Sequence, residues 1–163
     1  MLRHLLDNVN SSHNPTSVRG EIMKSQLPIS SKNLNHLLAY ACHHEQIDTI
    51  HWLISQGADP NCLDGHFLTR SIQTGKTASL AALLAGGATV RCWISALNSA
   101  LRSGNSATLR TLLTSGIGCT DKHAWDTMKS IAQYSSSTSL AMHGVLATFH
   151  WDENVGRVVE ANE

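Results

Sequence analysis

Gly57, Gly87 and Gly116 each close a leucine-rich run, and they stand 30 and 29 residues apart. A period of that length confines a chain to an array of small units, because one such unit cannot bury its own apolar face and stacked neighbours supply the missing core. Upstream of the three glycines lie Leu53-Ile54, Leu83-Leu84 and Leu112-Leu113, preceded by Ile50, Leu80 and Leu109. Apolar residues at i, i+3 and i+4 predict a helix ending near each glycine. A second set begins at Leu38, Leu68 and Leu97 and continues through Ala41-Cys42, Ser71-Ile72 and Ala100-Leu101. Each unit is therefore expected to hold two short helices.

Between the paired helices stand Glu45-Gln46, Gly75-Lys76 and Gly104-Asn105. Glycine suits such a tight reversal, since it accepts backbone angles that a Cβ disfavours. Gly57, Gly87 and Gly116 fall where a left-handed helix C-cap is expected. Ala41 and Ala100 are small enough to let the next helix pair approach closely.

The segments Leu53-Ile54-Ser55-Gln56-Gly57-Ala58-Asp59-Pro60-Asn61, Leu83-Leu84-Ala85-Gly86-Gly87-Ala88 and Leu112-Leu113-Thr114-Ser115-Gly116 resemble the ankyrin repeat. The resemblance is good over residues 34 to 120 and continues less clearly to about residue 150. There Met128, Ile131-Ala132 and Leu140 follow the pattern, and Ser135-Ser136-Ser137 replaces the inter-helix glycine. It implies an all-α solenoid of stacked helix-turn-helix units, three clear and a degenerate fourth. The family's Thr-Pro-Leu-His opening is absent; His36-Leu37-Leu38-Ala39, His66-Phe67-Leu68-Thr69 and Ser95-Ala96-Leu97-Asn98 stand in its place. Units shorter than the usual period of about 33 imply shortened connections, with the projecting hairpin fingers reduced to turns.

Three segments follow. Residues 1–33 are expected to form a capping helix on Leu2, Leu5, Leu6 and Val9 and a polar loop broken at Pro15. Residues 34–150 form the array. Residues 151–163, with Asp152, Glu153, Glu160 and Glu163, read as a polar tail, frayed or folded into a capping helix.

Twelve Lys and Arg balance twelve Asp and Glu without a basic cluster, which argues against a nucleic-acid partner, since that affinity rests on Lys and Arg gathered against phosphates. No apolar run approaches the roughly 20 residues that span a bilayer, and the first residues lack the apolar stretch of a secretory signal. A soluble, cytoplasmic chain without membrane contact is expected, or one in a host cytoplasm if it is a delivered effector.

Catalytic motifs fail on inspection. Thr74-Gly75-Lys76-Thr77 ends like a phosphate-binding loop, but Arg70 occupies the position of the first glycine. No Gly-x-Ser-x-Gly elbow is present. His43, His44 and His51 form the densest histidine group, yet adjacent helical residues diverge by about 100° and converge poorly on one metal. The four cysteines contain no Cys-x-x-Cys pair. Cys62, Cys92 and Cys119 recur just after the second helix of successive units, and packed helices about 8 to 10 Å apart disfavour a bridge between them. They are expected to be structural thiols. Neither a cofactor nor a metal is expected.

The resemblance implies a partner protein meeting the ends of the first helices and the connecting turns. The matching helix positions are His43, His44, Gln73, Thr74, Arg102, Ser103 and Tyr134; the matching turns offer Leu63, Asp64, Arg91, Trp93, Asp121, Lys122 and Trp125. Trp93 and Trp125 fit either core packing or partner contact at this stage. The expected function is a noncatalytic interaction module, monomeric alone, that inhibits or recruits another protein. The alternative is the recognition domain of a larger enzyme, such as a bacterial effector acting on host proteins.

Overall fold

A computed structural model describes residues 30–115, 119–134 and 140–161. Among these, helices come in pairs: α1 (Ser31–His43) with α2 (Ile47–Ser55), α3 (Cys62–Gln73) with α4 (Thr77–Ala85), α5 (Trp93–Ser103) with α6 (Ser106–Thr114), and α7 (Lys122–Tyr134) followed by α8 (Leu140–Thr148). Residues 1–29 and Gly116, on which the expected N-terminal cap and the third C-cap fall, lie outside the described residues. So does the serine run 135–137.

The pairs arise from the periodic apolar face. In α1, Leu34, Leu37, Leu38, Ala41 and Cys42 are buried, and in α2, Ile50 and Leu53 face them. The reversal between the helices needs a left-handed residue, supplied by Gly75 and Gly104, both at φ 68°. Glu45 holds that place in the first unit at φ 52°, a conformation costing an L-residue about 1 to 2 kcal/mol. At the other end of each pair, Gly57 and Gly87 turn left-handed. The next amides, of Ala58 and Ala88, then reach back to the carbonyls of Leu53 (3.0 Å) and Leu83 (2.9 Å). That bonding satisfies helix-end carbonyls that would otherwise be orphaned.

The first helices pack in one row, α1 on α3, α3 on α5 and α5 on α7; the second helices pack in another, α2 on α4, α4 on α6 and α6 on α8. Between the rows runs a continuous core in which Leu38, Ile50, Leu53, Leu80, Leu83, Leu97, Leu109 and Leu112 are fully buried. Ala41 and Ala100 are buried too, as close stacking requires. In the last unit Met128 and Ala132 join the core, whereas Ile131 is exposed.

Side chains bridge successive units at both ends of the helices. Asn105 caps α6, its Oδ1 accepting from the amides of Ala107 (3.0 Å) and Thr108 (3.2 Å), while its Nδ2 donates to the Gly75 carbonyl (2.9 Å). The Ser79 hydroxyl donates to the Cys42 carbonyl at 3.0 Å inside the core. At the opposite end, Asn61 Oδ1 accepts from the Thr89 amide (2.8 Å) and its Nδ2 donates to the Gly87 carbonyl (3.1 Å). Backbone groups freed by the turns are thus paired by the neighbouring unit.

The C-terminal segment departs from expectation. In place of a frayed tail or capping helix, Phe149–Asp152 (β1) and Arg157–Glu160 (β2) pair antiparallel, Phe149 opposite Glu160 and Asp152 opposite Arg157. Asp152 Oδ1 accepts from the amides of Asn154 (2.8 Å) and Val155 (3.3 Å), and Gly156 turns left-handed at φ 67°. Such an Asx turn next to glycine favours a hairpin over a helix. Phe149 and Val158 are buried, so one face of the hairpin extends the core. The Val158 amide donates to the Cys119 carbonyl (2.8 Å), and Arg110 pairs with Glu160 at 2.5 Å. Glu153 and Glu160, two of the acidic side chains that mark this segment as a tail, serve to dock it, through Lys122 and Arg110.

Candidate partner-binding face

A first helix begins at a connection between units and ends at a reversal, so the residues assigned to partner contact divide between two edges of the row. The 13-residue α1 separates those edges by about 20 Å.

On the reversal edge, His43, His44, Gln73, Thr74 and Arg102 are exposed and Ser103 is half-buried. The His43 and His44 rings lie 4.9 Å apart, and His44 stands 4.2 Å from Tyr40. Thr74 and Ser103 turn their hydroxyls back to the carbonyls of Arg70 (2.8 Å) and Ala100 (2.8 Å). The side chain of Tyr134 lies outside the described residues.

On the connection edge, Leu63 is 73% exposed. Leu63, Asp64 and Gly65 are consecutive left-handed residues, so the regular part of α3 starts only at His66. Asp64 pairs with Arg91 at 2.5 Å across the unit boundary, and both are exposed. Asp121 is half-buried, its Oδ1 accepting from the Ala124 amide at 2.9 Å as an N-cap for α7. Lys122 pairs with Glu153 of the hairpin turn. That bond holds the Lys122 ammonium above its usual range and the Glu153 carboxyl below its own.

Trp93 and Trp125 belong to the core, not to the exposed edge. They are only 7% and 1% exposed. Trp93 precedes the buried Ala96, Leu97 and Ala100 by three, four and seven residues, and Trp125 precedes Met128 and Ala132 by three and seven. Both indoles therefore continue the apolar stripe of their helices. Lys129 lies 5.6 Å from the centre of the Trp125 ring.

The structure adds a feature that the sequence reading lacks. Between α1 and α3 lies a groove of about 200 Å³ with Ala39, Cys42 and Phe67 at its floor and His43, His66, Arg70 and Lys76 around it. The Lys76 ammonium donates to the His43 carbonyl, closing one end. A hydrophilic stripe at His66, Arg70 and Thr74, spaced i, i+4 and i+8, is its trace in the sequence.

The thiols differ by burial. All four cysteines are free. Burial pushes the Cys42 thiol up to about 12 and the Cys119 thiol up to about 11, and it raises Cys62 as well, with the Asp59 carboxylate adding to the effect. Cys42 is therefore part of the groove's apolar floor and not a thiolate nucleophile at neutral pH. Cys92 is exposed; Cys119, at the corresponding place one unit later, lies under the hairpin. Among the described residues no group of three or more His, Cys, Asp and Glu side chains could hold a metal ion, and no helix is long and apolar enough to cross a membrane.

The family model for the ankyrin repeat matches residues 33–65, which span most of α1, the whole of α2 and the connection as far as Gly65. The matched segment is consistent with a divergent ankyrin-repeat protein. No curated protein and no solved structure matches it. The matched unit contains Leu53 to Asn61, the segment that carries the resemblance most specifically, and the next unit repeats its helix pair and its left-handed turns at Gly75 and Gly87. Ankyrin repeats serve as protein-interaction modules.

Proposed function

We propose that this ankyrin-repeat chain is a noncatalytic module that binds a partner protein along the reversal edge of α1, α3 and α5, and by doing so inhibits or recruits that partner. The observation that carries this reading is the alignment of His43 with His44, Gln73 with Thr74, and Arg102 at the ends of successive first helices, all exposed. None of them is needed for the core, so the edge is free to carry specificity. The connection edge, with Leu63 and the Asp64–Arg91 pair, adds a second strip of contact on the same row. Four free thiols fit a reducing compartment, the cytoplasm.

The test is cross-linked capture from cytoplasmic lysate, comparing the wild-type chain with the Gln73→Ala, Arg102→Ala double variant. Both side chains are exposed, so the two proteins should melt within about 1 °C of each other, surface substitutions lying within about 0.5 kcal/mol. The expected result is a partner held by the wild type and reduced roughly ten-fold in the variant, the size of effect typical of an interface hot spot. Equal capture by both chains, or no capture above a control protein, contradicts the reading.

A further inference from the structure

The geometry points to the groove between α1 and α3 as the seat of an acidic peptide segment of the partner protein, with a carboxylate side chain held by Arg70 and an adjacent apolar side chain resting on Phe67. This deepens the proposed function and rests on it.

Charge is the first argument. His43, His66, Arg70 and Lys76 surround the groove, and among the described residues no carboxylate lines it. Three other cations of the array are already matched: Arg91 with Asp64, Arg110 with Glu160, Lys122 with Glu153. Arg70 is exposed and makes no ion pair among the described residues. A guanidinium presents a planar fork of donors that fits a carboxylate with two parallel hydrogen bonds. Lys76, fixed by the His43 carbonyl, adds positive potential at one end.

Size and shape are the second argument. Pockets that hold drug-sized ligands measure roughly 300 to 1,000 Å³, so about 200 Å³ suits one or two side chains rather than a cofactor. The hollow exists because Ala39, Cys42 and Ser71 are small where two first helices face one another, leaving Phe67 at the bottom. An apolar floor beneath a cationic rim selects a side-chain pair with one apolar and one anionic member. A nucleic acid is held by many Lys and Arg gathered against phosphates, whereas this groove offers only Arg70 and Lys76 beside two histidines.

The probe is a phage-displayed library of random peptides, selected on the full chain and counter-selected on the His66→Glu, Arg70→Glu double variant. Both positions are exposed, so an unchanged melting curve certifies the variant's fold. Enriched peptides are expected to carry Asp or Glu beside an apolar residue. A synthetic peptide of the enriched sequence should bind the double variant roughly ten-fold or more weakly, bind Arg70→Lys with intermediate affinity, and weaken as salt is raised. Changing its acid to the neutral amide should abolish the preference for wild type. Enriched peptides without an acid, equal binding to the double variant, or no enrichment would each overturn the groove assignment. The lysate capture with Gln73→Ala, Arg102→Ala reads a different edge position, so it can succeed where the groove fails, and the two failures stay distinct.

Discussion

Trp125→Ala is expected to lower the unfolding free energy by about 3 to 5 kcal/mol, the range for deleting a large aromatic side chain from a core. The indole is 1% exposed and stands on α7 in the stripe it shares with Met128 and Ala132, inside the unit that carries the hairpin. Losing it leaves a void that neighbouring side chains fill only in part. At roughly 2 to 4 °C per kcal/mol for a chain of this size, the midpoint should fall by about 10 °C. Because a repeat array is held by nearest-neighbour contacts, the last unit and its hairpin should melt first, separating from the rest of the transition. A variant within about 0.5 kcal/mol of wild type in a thermal or urea melt would show an indole that does not pack, and would return it to the contact surface.

Leu83→Ala should cost about 2 to 5 kcal/mol, with a different signature. Leu83 is fully buried in α4, which packs on α3 in its own unit and on α2 and α6 in the units before and after. A cavity at that point weakens two unit boundaries at once. A single transition at lower denaturant is therefore expected, without early loss of the C-terminal end. Urea unfolding followed by circular dichroism gives the number directly; a loss below about 1 kcal/mol would mean that the leucine stripe faces away from the neighbouring units.

Much of this architecture is legible in the residues because it is local. Leu53, Leu83 and Leu112 recur with Gly57 and Gly87, and the spacing points to two helices in each unit and a left-handed cap in the first two. What the residues leave open or hide comes from direction and from distance. Trp93 and Trp125 stand beside turns, which suggests a contact role, but the side chains three and seven residues further on show which way the helix faces, and that face is inward. Cys92 and Cys119 occupy equivalent places in the sequence and differ in burial because β2 lies over one of them. The hairpin itself was hidden by Asp152, Glu153 and Glu160, whose charge suggests a tail, although Phe149, Trp151, Val158 and the Asp152 to Gly156 turn carry a strand signal. The groove leaves only the His66, Arg70 and Thr74 stripe in one segment, since Ala39 and Cys42 come to line it with Phe67 and Arg70 only after two units have stacked.

The four natural thiols test the central claim, that helix pairs stack in this register and the hairpin closes the end of the array. They would be alkylated in the native chain with N-ethylmaleimide at neutral pH, and the label on each followed by peptide mass spectrometry over time. Cys92 is predicted to react first and Cys62 more slowly, with Cys42 and Cys119 protected until denaturant unfolds the chain. The raised Cys42 and Cys119 thiols keep their protons above the ordinary value of 9.0. Their protection should therefore persist to about pH 9, where a solvated thiol is half ionised. Labelling of Cys42 at the rate of Cys92 would mean that α1 is not packed on its neighbours, and equal labelling of Cys119 would mean that the hairpin does not cover the last connection; either result contradicts the stacked array.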